Sequence, residues 1–356
     1  MLTSKSIIGV KTINIVLAKR LFGRNFLIKW VIIRDYYHQL INPKRKILAI
    51  LFELKYDPPV GEVVKLSKSV STILAPNASP MTFRGTQTYL IGEGDEVAII
   101  DPGPKIPSHL QAINRALRGK KLIAILITHS HVDHSPLGKE ISDKHNVPIY
   151  AFGGTGEGKS EIMRKYTEKF EIGGGEGIDH LFKPDVLIST GDHISCSSWS
   201  IEAIHAPGHM SNHLCFSLNQ CEALFSGDLV MGWATTLISP PDGDIGQYKD
   251  SLNNLLKRKE NLYYPGHGGP LKSAKKMVLA HLNHRNDREA EILNSISKKG
   301  CKIVEIVDSV YNDLSENLKI VASRNVLAHL IHLIEKGLVL VEGDNVSLDS
   351  IFRMKK

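Results

Sequence analysis

An apolar run of eight residues, KLIAILIT (121–128), ends directly in HSHVDH (129–134). The run has the length of a strand and no polar alternation, the pattern of a strand buried on both faces. Its polar end must then emerge at a sheet edge, and that end carries His129, His131, Asp133 and His134 within six residues. On a strand end His129 and His131 can point the same way, and the turn after them carries Asp133 and His134 toward a second point. Neutral imidazole and carboxylate are ordinary ligands for zinc and also suit iron or manganese. A loop that needs only solubility rarely concentrates three histidines and an aspartate in this way, so the segment reads as a metal site. Four ligands are too many for one open site and too few for two. Further ligands are offered by His209 in HAPGHMSNH, Asp228 in FSGD and His267 in YYPGHGG. Each follows an apolar run, where loop residues converge on one edge of a sheet.

The surrounding pattern supplies such a sheet. TQTYLIG and EVAII read as strands joined by the turn residues 92–95, and PSHLQAINRALRG reads as a helix with Pro107 early and Gly119 as its C-cap. A helix near Leu137–His145 and the strand VPIYAF follow. DVLIST, WSIEAIHA, LCFSL and EALFSGD read as further strands, and QYKDSLNNLLKRKEN as an amphipathic helix. A helix from Pro270 to about Lys299 leaves this unit. CKIVEIVDSVY and ENLKIVASRNVLAHLIHLIEKG then read as two helices and LVLVEGDNVSLD as a hairpin, together a winged-helix module.

HxHxDH, PGH, SGD and PGHG, in that order, resemble the metallo-β-lactamase family. The resemblance implies an α/β fold, the αββα metallo-β-lactamase sandwich, followed by a C-terminal winged-helix domain. It places a basic extension at 1–56, the catalytic domain at 57–283 and the winged helix at 284–356. By analogy His129, His131 and His209 hold a first metal, Asp133, His134 and His267 a second, and Asp228 bridges both. The implied cofactor is two Zn2+, with Fe or Mn as alternatives. The implied chemistry is attack by a two-metal-bound hydroxide, with Asp133 also orienting the attacking water. The winged-helix subgroup, whose animal mitochondrial member is similar to an endoribonuclease, implies a phosphodiester in single-stranded RNA. The alternative on the same motif is a thioester or lactone hydrolase of the glyoxalase II type. A mononuclear iron dioxygenase uses the same scaffold with fewer ligands. Cys221 lies seven residues before Asp228, unlike the cysteine ligand of true β-lactamases, which argues against β-lactam hydrolysis.

Charge narrows the partners. Residues 1–50 carry ten Lys/Arg and one acid, Asp35, so they account for +9 and leave −2 for the rest of a chain whose net charge is +7. The body therefore lacks the strong electrostatic footprint of a nucleic-acid binder, and no stable DNA partner is expected. The leader reads as an organelle transit segment or as upstream sequence without a role. A cytoplasmic protein is expected, or a mitochondrial-matrix one if the leader is a transit segment. No run of 18 apolar residues predicts a membrane span. The four cysteines have no C-x-x-C spacing, which suits a reducing compartment. The long C-terminal helix presents a face built for packing, which a second subunit in a homodimer would satisfy.

Several residues carry two readings. Asp101, ending a strand in IIDPGP, reads as a carboxylate that supports the ligands. His213, four residues after His209, reads as a proton donor to a leaving group or as a packed histidine. His205 reads as a satisfied core histidine, Tyr263 and Tyr264 as core. Arg285 and Arg288 either meet an anionic substrate or are solvated helix charges, the commoner case. GGTGEGKS (153–160) fits the phosphate-cradling G-x-x-x-x-G-K-[ST] between a strand and a helix. The strands downstream end in PGH and SGD, already claimed by the metal site, so nucleotide binding is not expected. Lys159 then either holds an anionic part of the substrate or sits in a solvated turn.

Overall fold

The structure is a computed structural model that describes residues 51–355 other than 170–171, 298, 312–313, 315 and 344–345. The basic leader up to residue 50 lies outside the described residues. Seven strands form a first sheet in chain order: β1 (Val63–Lys65), β2 (Val70–Leu74), β3 (Gln87–Ile91), β4 (Glu96–Ile100), β5 (Lys121–Leu126), β6 (Ile149–Ala151) and β7 (Val186–Leu187). The pairs from β1 to β4 are antiparallel and those from β4 to β7 parallel. Helices α1 (Pro107–Ala116) and α2 (Leu137–His145) make the two crossovers around β5, and α3 (Glu161–Lys169) follows β6. The second sheet has the order β12-β11-β10-β9-β8, from β8 (His193–Ser195), β9 (Ser200–His205), β10 (Leu214–Leu218), β11 (Ala223–Gly227) and β12 (Leu262–Pro265). Only β11 and β12 run parallel.

Strand alternation decides which side chain enters which layer. In β4, Ala98 and Ile100 face the second sheet, whereas Val97 and Ile99 face α1 and α2. In β5, Ala124 and Leu126 face inward and Ile125 outward. The inner layer is closed by Tyr89, Phe216, Phe225 and Tyr264, with the Tyr89 and Phe225 rings edge-on at 5.0 Å. On the far side of the second sheet, α4 (Ile245–Lys257) and α5 (Ala274–Ser295) cover Ile204, Cys215, Leu224 and Tyr263. Asp244 caps α4 by accepting the Gln247 amide at 3.1 Å. The result is a four-layer αββα sandwich, with a core on each side of both sheets.

The C-terminal unit contains β13 (Cys301–Lys302), α6 (Ile303–Val310), α7 (Glu316–Glu335), β14 (Val339–Val341) and β15 (Ile351–Met354), with strand order β13-β15-β14. The return strand is Ile351–Met354, just past the expected hairpin, and its Phe352 joins Val346 in the core. Sequence reading also missed β1 and β2, where the β-branched VSTIL carries the strand signal. The two units interlock. Helix α5 buries Met277 and Val278 in the catalytic core and Ile292 in the winged-helix core, and Met163 and Tyr166 of α3 join the latter. Among the described residues no helix is long and apolar enough to cross a membrane.

Leu330 of α7 is completely buried in this second core. Leu330→Ala is expected to cost about 2–5 kcal/mol of stability, measured as a lower midpoint in denaturant unfolding followed by circular dichroism.

Candidate metal centre

Every proposed ligand lies where a strand ends on one edge of the sandwich. Residues 129–134 follow β5, Asp228 follows β11, His267 follows β12, and His209 lies in the β9–β10 connection. His129, His131 and His209 come together, with His131 Nδ1 2.9 Å from His129 Nε2 and 3.1 Å from His209 Nε2. Asp133, His134 and His267 form a second group: Asp133 Oδ2 lies 3.4 Å from His134 Nε2 and 3.2 Å from His267 Nε2. Asp228 stands between them. Its Oδ2 is 3.7 Å from His209 Nε2 and 3.3 Å from His267 Nε2, and its Oδ1 is 3.6 Å from His134 Nε2.

The far nitrogen of four of the five histidines is tied to an acceptor, which fixes the tautomer and leaves Nε2 facing the cluster. His134 Nδ1 donates to Asp101 Oδ2 at 2.9 Å, His129 Nδ1 to the Thr128 hydroxyl at 2.9 Å, His209 Nδ1 to the Leu237 carbonyl at 2.8 Å and His267 Nδ1 to the Gly85 carbonyl at 3.2 Å. Asp101 also accepts the Thr128 amide and hydroxyl at 2.8 and 2.7 Å, so it clamps the ends of β4 and β5 together. It does so from a left-handed backbone conformation (φ 49°), a strained one for a residue with a Cβ. The Thr86 hydroxyl donates to Asp133 Oδ2 at 3.2 Å.

Divalent metal fits this donor set. His134 Nε2 and Asp228 Oδ1 are buried with no hydrogen-bond partner, although a buried polar atom normally has one. Gly266 leaves the space that Asp228 and His134 need, since a Cβ there would lie 2.4 Å from Asp228 Oδ1 and 2.8 Å from the His134 ring. Burial lowers the pKa of His129 and His209 and takes His131 down to about 3, so all three are neutral and ready to ligate. Burial lowers His134 and His267 as well, but neighbouring carboxylates outweigh it. Asp133, Asp228 and Asp101 hold His134 well above its usual value, and Asp228 and Asp133 raise His267 to about 10. Burial favours the neutral acid of Asp133 and Asp228, yet the facing His134 and His267 keep both carboxyls well below the usual range.

His213 is fully buried behind the ligands, and its Nε2 accepts the Asp228 amide at 3.2 Å. It does not line the cavity, and its contact is with the backbone that carries Asp228. His205 donates from Nε2 to the Ser211 carbonyl at 2.9 Å and stacks on Phe152. Tyr263 and Tyr264 are core residues. Arg285 and Arg288, expected as solvated, are 2% and 3% exposed, because the winged-helix unit covers their face of α5. No residue of Gly153–Ser160 lines the cavity. Lys159 pairs with Asp242 at 3.2 Å, Ser160 donates to Asp244 at 2.6 Å, and the Asn212 side chain ties Gly153 and Gly154 to Ser130. The phosphate-loop pattern thus braces the loop that carries His129 and His131. The supporting Thr128 was signalled by its place directly before His129. The Leu237 and Gly85 carbonyls carry no side-chain signal.

A four-layer sandwich with this ordered set of histidines and aspartates on one edge defines a class, and comparison with known proteins agrees. Residues 81–267 match the metallo-beta-lactamase superfamily and residues 303–347 the beta-lactamase-associated winged helix domain. The chain belongs to the metallo-beta-lactamase superfamily. Within it, the chain is similar to the beta-lactamase-like protein 2 homologs of Drosophila melanogaster (29% identical, 78% of this chain and 92% of that protein) and Caenorhabditis elegans (28%, 79% and 89%). An atrochrysone carboxyl ACP thioesterase from Aspergillus chevalieri is 26% identical over 73% of this chain and 79% of its own length. A beta-lactamase domain protein from Burkholderia ambifaria has the same fold, with a TM-score of 0.69 at 20% identity over 85% of this chain and 96% of its own.

The unequal charge states of the two groups give them different pH responses. His134 and His267 must shed protons to ligate through Nε2, whereas His129, His131 and His209 are already neutral. Affinity at the Asp133–His134–His267 group should therefore rise with pH, by about tenfold per unit for each proton released, until the pH passes the value of about 10 for His267. The other group should bind with little pH dependence near neutrality. Calorimetric titration of the metal-free protein with zinc, in buffers of different ionisation enthalpy, counts the protons released in each phase.

Proposed function

We propose that this protein is a two-zinc hydrolase that cleaves a phosphodiester in single-stranded RNA. A cavity of about 1520 Å³ opens over the ligands and extends between the two units, with His131, Asp133, His209, Asp228 and His267 at its floor. That exceeds the roughly 300–1,000 Å³ of small-ligand sites and suits a chain-like substrate. The observation that carries the reading is the three arginines on its wall. Arg285, Arg288 and Arg324 line it, and among the described residues neither Arg285 nor Arg324 pairs with a carboxylate. Carbonyl, hydroxyl and amide oxygens hold both guanidiniums instead, and Glu176 and Asp242 act on Arg324 from the same wall, so the two arginines offer a local cationic point for an anionic backbone within a mixed-charge lining. Phe52, Trp233 and Tyr311 add aromatic surface to the same wall, of the kind on which unpaired bases stack.

Bound divalent ions would supply there an acidified water and take up charge that builds on the scissile group. The chain's own part is placement. Asp133 keeps 20% of its side chain exposed against 9% for Asp228, so Asp133 is the carboxylate that a reacting water can reach. Asp101, Thr86 and Thr128 hold the ligands in register, and the winged helix closes the cavity above them. A second reading, thioester hydrolysis, is favoured by the apolar stretch that Leu54, Met81, Leu314, Leu318 and Val321 add to the wall and by the similarity to an acyl-carrier thioesterase.

The zinc-loaded protein is expected to cut labelled single-stranded RNA, more slowly as salt is raised because the charge contacts are screened. Asp228→Ala should abolish the cutting and lose metal, as measured by elemental analysis. Turnover of an acyl thioester by the same sample, with the RNA left intact, would replace the first reading by the second.

A further inference from the structure

The segment Thr236–Pro240 carries no ligand, yet it is gripped from three sides. From below, the Thr236 hydroxyl donates to the carbonyls of Asp228 and Leu229 at 2.8 and 3.0 Å. At its centre the Leu237 carbonyl accepts the His209 Nδ1 proton, the bond that aims His209 Nε2 at the cluster. From above, the grip comes from α5 and α7. Asn325 Oδ1 accepts the Ile238 amide at 3.3 Å and an Arg285 N–H at 3.4 Å, and Arg285 also donates to the Thr236 carbonyl. Arg324 Nε donates to the Ser239 hydroxyl at 3.0 Å, and its Nη2 donates to the Pro240 carbonyl. The same guanidinium holds the carbonyls of Ile172 and Gly173 at 2.7 and 3.0 Å, on the glycine-rich turn across the cavity.

We infer that Asn325 and Arg324 of the winged helix are positioning residues for the metal ligand His209, acting through the Thr236–Pro240 strap. An Asn side-chain oxygen that accepts from both the strap and Arg285 fixes the strap on both sides of Leu237. The carbonyl that orients the imidazole is then set by a domain that supplies no ligand. Groups that hold a ligating histidine directly typically change metal affinity about 10- to 100-fold when removed, and the strap residues act through one such group, the Leu237 carbonyl. The inference rests on the reading that His209 holds a metal, and its test separates the two.

The test uses the full chain loaded with cobalt(II), whose visible absorption reports the geometry of its ligands, together with zinc affinity measured against a competing chelator. Asn325→Leu, which keeps the volume and loses the acceptor, should weaken zinc binding by about 10-fold, the low end of that range, and alter the cobalt spectrum. Asn325→Asp, which keeps an acceptor oxygen, should restore both. Leu330→Ala, which destabilises the same domain without touching the strap, should leave both as in wild type. If Asn325→Leu does not fold, Arg324→Gln releases the other end of the strap and should shift affinity in the same direction. Unchanged affinity and spectrum in the strap variant, or an equal loss in Leu330→Ala, overturns the inference. A wild-type chain that takes up no cobalt, or a His209→Ala chain that binds zinc as tightly as wild type, overturns the metal reading beneath it.

Discussion

The Asp101 carboxylate is the interaction on which the site depends. It joins the ends of two parallel strands, accepting the Thr128 amide and hydroxyl from one and the His134 ring from the loop beyond. A carboxylate that is 2% exposed is costly to bury, and three donors offset that cost. Its left-handed backbone shows how closely the geometry is prescribed. The Thr128 hydroxyl relays the constraint to His129, so one buried acid sets the orientation of a histidine in each of the two side-chain groups. Removing it would leave both imidazoles free to turn.

The charge distribution follows from where each carboxylate stands. His129, His131 and His209 have mainly one another for company, and burial keeps them neutral. His134 and His267 face Asp133 and Asp228, and the pairing reverses the effect of burial. One group thus resembles a neutral three-nitrogen socket and the other a proton-carrying ion cluster of similar size. On the cavity wall the arginines differ in the same way: Arg285 and Arg324 are held by carbonyl and side-chain oxygens, whereas Arg288 pairs with Glu291.

Much of this was legible in the sequence because the ligands are side chains whose chemistry is scarce and whose spacing is local. HSHVDH after a buried strand announces a metal site, and the three later histidine and aspartate motifs stand at strand ends for the same reason. Legibility fails where function passes through the backbone or through tertiary cover. The Leu237 carbonyl orients His209, but any residue at 237 offers a carbonyl. Arg285 and Arg288 look like ordinary helix charges until a second domain is laid over them. GGTGEGKS has the pattern of a phosphate cradle, yet Lys159 is occupied by Asp242 and the loop turns its polar groups toward Asn212 and Ser130. A local pattern states what a loop is able to do, and its neighbours decide what it does.

Helix α5 is 22 residues long and has a buried face at each end, one in the catalytic core and one in the winged-helix core. Helix α3 returns the exchange by lending Met163 and Tyr166 to the second core. A boundary drawn through residue 283 is therefore a feature of description and not of mechanics. Neither core is complete without a helix rooted in the other, so the two should unfold in one cooperative transition. Removing the tail would therefore strip cover from the shared helix, and with it from the wall of the cavity.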